Sequence, residues 1–531
     1  MLLQNYIKQC GGIENICRVL NPEGYVIFEI KSPDRLDKEL LVSNFSHKLQ
    51  QLKFKLSERL DGQKLMNIGI KIAETQSEQA EAFSQPTACV HRPVWHVSPP
   101  SGLLNDPNGF IFHKGEYHLF YQWNPYGCSH KDKFWAHLVS QDLVTWQWKP
   151  VALTPSDWFD SHGVFSGHAI SQDDELKLFY TGNVRIGEDR DRHTTQCLAV
   201  SRDGINFEKK GPVISELPPG VTPHCRDPKV IKMGDEWWML LGAQKSDLKG
   251  CLAIYKSRDL ENWRFDKLYS GNLGDFGYMW ECPDLFELND QLIAIIGPQG
   301  IEAESDYHTV PHHNGYLKAE IDSEGELAFS DFECLDVGFD FYAPQSLATP
   351  DGRRVIIAWM GLPDEVDHPS VDNGWIHQLT CPREITFVDG KVIQVPLKEL
   401  ESLRSDHQHF LLENSGVDLN TKSFELETEL RWGSRLSLFK DDLNEVAIEL
   451  GLNNTLYLNR VKTEIREGDT IRELKLAGDT VKLRILADNS SLEIFVNDGE
   501  HVLSCRAFTP PTATGMYLHG QGSFDTWFLT R

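Results

Sequence analysis

The stretch DPNGFIFHKGEYHLFY, residues 106–121, decides how the chain is read. Asp-Pro-Asn-Gly opens it, an apolar run follows, Lys114-Gly115-Glu116 breaks it, and a second apolar run ends on Leu119, Phe120 and Tyr121. Short alternating runs bounded by Gly, Asp and Asn predict strand, turn, strand. The pattern recurs as SGHAISQDDELKLFY from Ser166, DPKVIKMGDEWWMLL from Asp227, DLFELNDQLIAII from Asp284 and QSLATPDGRRVIIAW from Gln345. These starts lie 60, 61, 57 and 61 residues apart. A second marker trails three copies, as SQDLVTW, SRDGINF and SRDLENW, with aspartates at Asp142, Asp203 and Asp259.

Several strands per unit, repeated at a fixed period, predict a mainly β chain with a five-bladed β-propeller; the alternative is a run of unrelated hairpins. In a propeller the residues opening each copy converge on one mouth of a central channel. Asp106, Asp227 and Glu281, remote in sequence, would then meet.

The flanks lack the repeat. PLKELESLRSD, residues 396–406, spaces Leu397, Leu400 and Leu403 as a linker helix does, expected over 396–409. Residues 410–531 alternate in strand fashion, as in KLRILADNSSLEIFVNDGEHVLSCRAF, with a turn at Asn497-Asp498-Gly499; a β-sandwich is expected. Residues 1–75 mix helix and strand signals and form a small α/β extension. The polar stretch 76–90 reads as a linker to the propeller, placed at 91–395.

Composition narrows the function. At 40% apolar and 24% charged the chain is an ordinary globular protein, too long at 531 residues for one core. The net charge of -26 argues against nucleic acid and anionic membranes as partners. No apolar run reaches the roughly 18 residues a membrane span needs. Gln4, Asn5, Lys8 and Gln9 interrupt the stretch where a secretory signal would be apolar, so a cytoplasmic location is expected. The 11 cysteines form no CxxC pair and no metal-spaced cluster with histidine, which suits reduced thiols and predicts no metal or cofactor.

The acidic residues at the copy openings suit acetal hydrolysis, which needs one carboxyl group to protonate the leaving oxygen and another opposite it. Taken singly, Asp106-Pro107-Asn108-Gly109 is also a good surface turn, Arg226-Asp227 a surface ion pair and Glu281-Cys282-Pro283-Asp284 a strand start. Equivalent placement in a repeat favours chemistry.

LLNDPNGF, FSG, RDP, ECPD and FYAPQ, in this order over residues 90–531, resemble the family 32 glycoside hydrolases: invertases, levanases, inulinases and sucrose-6-phosphate hydrolases. The resemblance implies Asp106 as nucleophile, Glu281 as acid/base and Asp227 as transition-state stabiliser in a retaining β-fructofuranosidase. Hydrogen bonds from Asn105 should then hold the Asp106 carboxyl low, and burial should raise that of Glu281. Arg226 stands beside Asp227 as a donor. Leu103, Leu104, Gln122, Phe165, Ser166, Tyr342 and Trp359 fall at substrate-lining positions. Trp359 and Tyr342 could equally pack in the core, and Ser166 and Gln122 could be ordinary turn and strand-end polar groups. Trp135 reads as wall or core, Cys282 as a small buried thiol.

Two departures bear on the substrate. Leu103-Leu104 stands where many relatives have Trp-Met, and CSHKDKFWAH, residues 128–137, has His130 near a usual tryptophan. The first resembles bacterial sucrose-6-phosphate hydrolases. The second makes His130, Lys131 and Lys133 candidates for a phosphate, or a solvated charged loop. The expected partner is therefore a small disaccharide, sucrose or its 6-phosphate. Alternatives are a fructan-cleaving exo-hydrolase, an inverting pentosan-cleaving propeller and a non-catalytic sugar-binding propeller. GGIENI with YVIFEIKSPDRLDKELL resembles the IIB domain of bacterial sugar phosphotransferase permeases. LNPEGYVIF lacks that family's phosphate-accepting cysteine, so the extension is a degenerate relative or an unrelated α/β unit.

Overall fold

The computed structural model describes residues 2–20, 25–36, 45–46, 50–55, 88–125, 127–131, 133–155, 157–186, 191–271, 273, 275–301, 312–323 and 326–531. The expected linker at 76–90 lies outside them except for its last three residues, as do Asn21 and Pro22 of the IIB-like stretch.

The described chain is almost wholly β. Each repeat start falls in the first strand of its own antiparallel sheet: Gly102–His113, Val164–Gln172, Val221–Met233, Met279–Leu288 and Tyr342–Ala348. The first sheet continues through Glu116–Asn124, Phe134–Ser140 and Gln147–Leu153, and the other four follow the same order outward. The second marker is the turn before the outermost strand of the first three sheets. Ser140, Ser201 and Ser257 donate to Asp142, Asp203 and Asp259 at 2.9, 2.9 and 3.1 Å. Each aspartate then accepts two backbone N–H groups that follow it, the side-chain turn that Asp makes readily.

Apolar side chains from neighbouring sheets interlock. Phe120 and Trp135 of the first meet Val164, Leu178 and Tyr180 of the second. Phe179 meets Met239 and Leu241 of the third, and Trp238 and Ile254 meet Trp280 and Ile296 of the fourth. Phe286 and Ile293 meet Ile356 and Ile385 of the fifth. The fifth returns to the first, with Leu347, Val355 and Trp359 against Leu104, Leu119 and Tyr121. The short strand Trp375–Ile376, beyond the second strand of the fifth sheet, pairs parallel with Gly102 and Leu103. At about 25 cal/mol per Å² of apolar surface buried, these five seams are the main force holding the sheets together.

The helix expected over 396–409 is shorter: a 3-10 helix spans Lys398–Leu403, and the strand Arg404–Asp418 begins at once. Leu397, Leu400 and Leu403 are all buried, and spacing of three suits a 3-10 turn on a flat surface. The remaining strands form one ten-stranded sheet, nine in a continuous hydrogen-bonded path and Arg404–Asp418 paired to the side of Gly515–Leu529. Gly515–Leu529 joins its halves, pairing with Arg435–Lys440 through residues 515–519 and with Ser423–Arg431 through 524–528. A buried polar junction ties this body to the sheets. Asp488 accepts the amides of Val94, Trp95 and His96, and Arg383 donates to Glu493.

The extension has helix Leu2–Gln9 and a four-stranded antiparallel sheet around Val26, Phe28, Leu52 and Phe54. Trp158, just before the second sheet, packs against this small core.

Candidate active site

Antiparallel pairing alone would turn successive side chains to opposite faces. At the mouth of the sheets the first strands break that rule. Their pairing with the second strand slips between Leu104 and Pro107, Arg226 and Lys229, Glu281 and Asp284, and Tyr342 and Gln345. A bulge adds a residue, bends the strand and re-aims its side chain. Pro107, Pro228, Pro283 and Pro344 sit at these slips, where a residue without an N–H costs no ladder bond. Asp227, Cys282 and Ala343 have φ of 64°, 45° and 50°. Each costs of order 1–3 kcal/mol for a residue with a Cβ, the kind of strain found at functional sites. Gly109 also has positive φ (53°), and a Cβ there would stand 2.7 Å from the Phe120 ring.

The bulges bring the three acids into one cavity of about 1320 Å³. Asp106, Asp227, Glu281, Asn105, Gln122, Phe165, Arg226, Tyr342 and Trp359 line it. The Cys282 sulfur is 3.7 Å from Asp106 Oδ2 and 3.6 Å from Asp227 Oδ2, which makes the two carboxylates close neighbours. The Cys282 amide donates to Asp227 Oδ2 at 3.0 Å, and the Asp227 amide donates to Thr181 Oγ1 at 3.0 Å. Glu281 is gripped at both oxygens. Arg226 donates twice to Oε1, through Nε at 2.9 Å and Nη2, and the Tyr342 hydroxyl donates to Oε2 at 2.6 Å.

Asp106 is held by a polar chain. Asn105 Nδ2 donates to its Oδ1 at 3.1 Å and to Gln122 Oε1 at 2.6 Å. Gln122 Nε2 donates to Ser166 Oγ at 2.7 Å, and Ser166 donates to Asp106 Oδ2. Ser166 is thus a buried bridge behind the cavity. Trp135 is buried and donates its indole N–H to the Phe165 carbonyl at 3.1 Å.

Leu103 and Leu104, expected at the substrate, are each 0 % exposed and lie in the packing beneath the mouth. Their side chains precede the first bulge, so nothing re-aims them. The basic loop also differs. Lys133 is buried, donating to Asn105 Oδ1 and lying 3.0 Å from His130 Nδ1. Burial pushes its ammonium down to about 7, against the pull of Asp106. It supports the Asp106 chain, while Lys131 remains exposed on the cavity wall.

The shifts of the Asp106 and Glu281 carboxyl groups run opposite to the expected ones. Burial raises the Asp106 carboxyl above its ordinary value, the Ser166 bond opposes this, and the Glu281 charge adds to it. Burial, with the charges of Glu281 and Asp106, pushes Asp227 up to about 7 despite Arg226. Burial works to raise Glu281, yet the group is held below its ordinary value, with the Arg226 charge and the bonds from Tyr342 and Arg226 acting against burial. Three buried acids in one cluster cannot all ionise cheaply, and the strongest donors stand around Glu281.

Sequence reasoning missed Thr181, Arg185, Arg192 and His162, and the cavity wall built by Cys17, Arg18, Glu29, Ile30 and Gln50 of the extension. Among the described residues no group of three His, Cys, Asp or Glu is placed to hold a metal ion, and no helix is long and apolar enough to cross a membrane.

Comparison with known proteins shows the family. Residues 96–396 match the profile described as the glycosyl hydrolases family 32 N-terminal domain, and residues 399–529 match the family 32 C-terminal profile. A probable sucrose-6-phosphate hydrolase of Psychromonas ingrahamii is 55% identical over 100% of this chain and 99% of its own. The sucrose-6-phosphate hydrolase of Bacillus subtilis is 42% identical, covering 82% of this chain and 92% of its own. Among solved structures, sucrose-6-phosphate hydrolase from Lactobacillus gasseri superposes with a TM-score of 0.78 at 30% identity, over 89% of this chain and 97% of that one. A Bombyx mori family 32 beta-fructofuranosidase, solved as a mutant with sucrose, gives 0.77 at 31% identity, over 88% and 98%.

Proposed function

The chain belongs to glycosyl hydrolase family 32, and from that premise we propose that it hydrolyses sucrose 6-phosphate, and sucrose, to fructose and glucose 6-phosphate or glucose. The observation that carries the chemistry is the meeting of Asp106, Asp227 and Glu281 in one cavity. Asp106 attacks the fructosyl anomeric carbon, and the C–O bond to the glucosyl oxygen breaks as that oxygen takes a proton from Glu281. Water, deprotonated by Glu281, then opens the fructosyl ester of Asp106, so configuration is retained.

In the free cavity the shifts favour the ionised form of Glu281 and the protonated forms of Asp227 and Asp106. Fructose hydroxyls donating to Asp227 and Asp106 favour the ionised forms of both and move a proton to Glu281. Substrate thereby sets the protonation that the first step needs. Asp227, its amide anchored on Thr181, strengthens its hold on the ring as positive charge develops. Gln122, Phe165, Arg226, Tyr342 and Trp359 shape the fructose side.

The five interlocked sheets are a five-bladed propeller over 91–395, and the fifth-to-first core with the Trp375–Gly102 pairing supports its closure. The ten-stranded sheet, whose strand Gly515–Leu529 pairs with Arg435–Lys440 at one end and Ser423–Arg431 at the other, is read as a β-sandwich over 410–531. A phosphorylated disaccharide is charged and does not cross membranes unaided, which favours a cytoplasmic site of action.

The test is kcat/KM for sucrose 6-phosphate against sucrose. The phosphorylated sugar should be preferred by at least about tenfold, the value of one charge-assisted contact. Equal values contradict the substrate assignment and leave the fructosidase chemistry standing.

A further inference from the structure

One pair of charges in the cavity is set against itself. Arg185 and Arg192 face each other directly across the antiparallel hairpin of the second sheet, and both line the cavity that holds the acids. Opposed residues in such a ladder stand on one face with Cβ atoms about 4.5–5.5 Å apart, and like charges there are destabilising. Arg192 Nη1 is buried with no hydrogen-bond partner among the described residues. A guanidinium that is desolvated, crowded by a second one and left with an unused donor fits an absent anion.

We propose that Arg185 and Arg192 form the site for the substrate's phosphate monoester, with the N-terminal extension closing it. This rests on the sucrose 6-phosphate reading above. The placement suits a phosphate on the leaving sugar. Arg192 lies within the electrostatic reach of Glu281, whose proton goes to that sugar's oxygen. Two other cations of the cavity are committed to the acids: Arg226 grips Glu281 and Lys133 supports Asn105.

The extension is fastened to the strand that carries Arg185. The Arg185 amide donates to His162 Nδ1 at 3.1 Å, which leaves the proton on Nε2 to bond Glu29 Oε1 at 2.7 Å. Gln51 donates to the same oxygen at 3.0 Å, and Arg18 pairs with Glu29 Oε2 at 2.9 Å. Arg18 also lines the cavity, so its side chain adds a third positive group on this wall. The extension thus acts as a specificity element.

The test uses full-length enzyme with Arg192→Gln, Arg185→Gln and Arg18→Gln, reading kcat/KM for sucrose 6-phosphate divided by kcat/KM for sucrose. That ratio does not depend on how much of a variant is correctly folded. It should fall by about 10- to 100-fold in the first two variants, as for a lost charge-assisted bond, and less for Arg18, which Glu29 already holds. Inorganic phosphate should inhibit sucrose hydrolysis competitively in wild type and much less in Arg192→Gln. Ratios within about threefold of wild type in both hairpin variants, or unchanged phosphate inhibition, overturn the anion site while the substrate reading stands. A wild-type enzyme with no preference for the phosphorylated sugar overturns the substrate reading itself, and the site with it.

Discussion

Replacing Asp227 by asparagine is expected to abolish turnover and, above pH 7, to make the protein more stable. In the unfolded chain an aspartate loses its proton near pH 3.9; in the fold, burial and the neighbouring acids move Asp227 up to about 7. Between those values the folded protein keeps a proton that the unfolded chain has lost. Stability therefore falls as pH rises through that window, and the penalty is complete above it. Asparagine has no charge to bury and can still accept the Cys282 amide, 3.0 Å away in the wild type. A shift of about three units at roughly 1.4 kcal/mol each sets a ceiling near 4 kcal/mol, and sharing of the proton with Asp106 and Glu281 lowers it to about 2 kcal/mol. For a chain of 531 residues that corresponds to a Tm gain on the order of 2 °C. Calorimetric melting of both proteins at pH 4, 6 and 8 reads it. The gap should be close to zero at pH 4 and widen through pH 8. An Asn variant melting below wild type at pH 8, or an offset that ignores pH, would refute the reasoning.

Ser166→Ala removes the hydroxyl that lowers the Asp106 carboxyl, so the acid limb of kcat/KM should move up by about one to two units while activity recovers at higher pH. An unmoved limb would separate Ser166 from the ionisation of Asp106. Glu281→Gln should lose about 10²- to 10⁴-fold on sucrose, whose glucosyl oxygen must be protonated. With an aryl β-fructofuranoside, which leaves unaided, the same variant should release aryl alcohol in a burst and then stall; the absence of a burst would speak against Glu281 as acid and base.

Much of this architecture was legible in the chain. Asp106, Ser166, Asp227, Asp284 and Gln345 mark five strands because each unit meets the same demand, to open a sheet with one strand and turn back on itself with the next. The Ser-x-Asp turns at Asp142, Asp203 and Asp259 were legible for a similar local reason. What stayed hidden was geometry that no residue type declares. Cys282 and Ala343 adopt positive φ without being glycine, so the bulges that gather the acids leave only their prolines as a trace. Leu103 and Leu104 share a motif with Asn105 and Asp106, yet the slip begins after them, and motif proximity misplaced them in the cavity. The direction of these shifts was hidden because Glu281's partners come from elsewhere in the chain, Arg226 and Tyr342, 55 and 61 residues away. The extension's wall was also invisible, since Glu29 meets His162 across 133 residues with no repeat to relate them.

The claim beneath the whole account is that Asp106 and Glu281 act in turn on one fructosyl group, through an ester on Asp106. Hydrolysis of sucrose in the presence of methanol tests it, with NMR of the methyl fructofuranoside formed. Two displacements through that ester give the β anomer, the configuration of the substrate; the α anomer would contradict them.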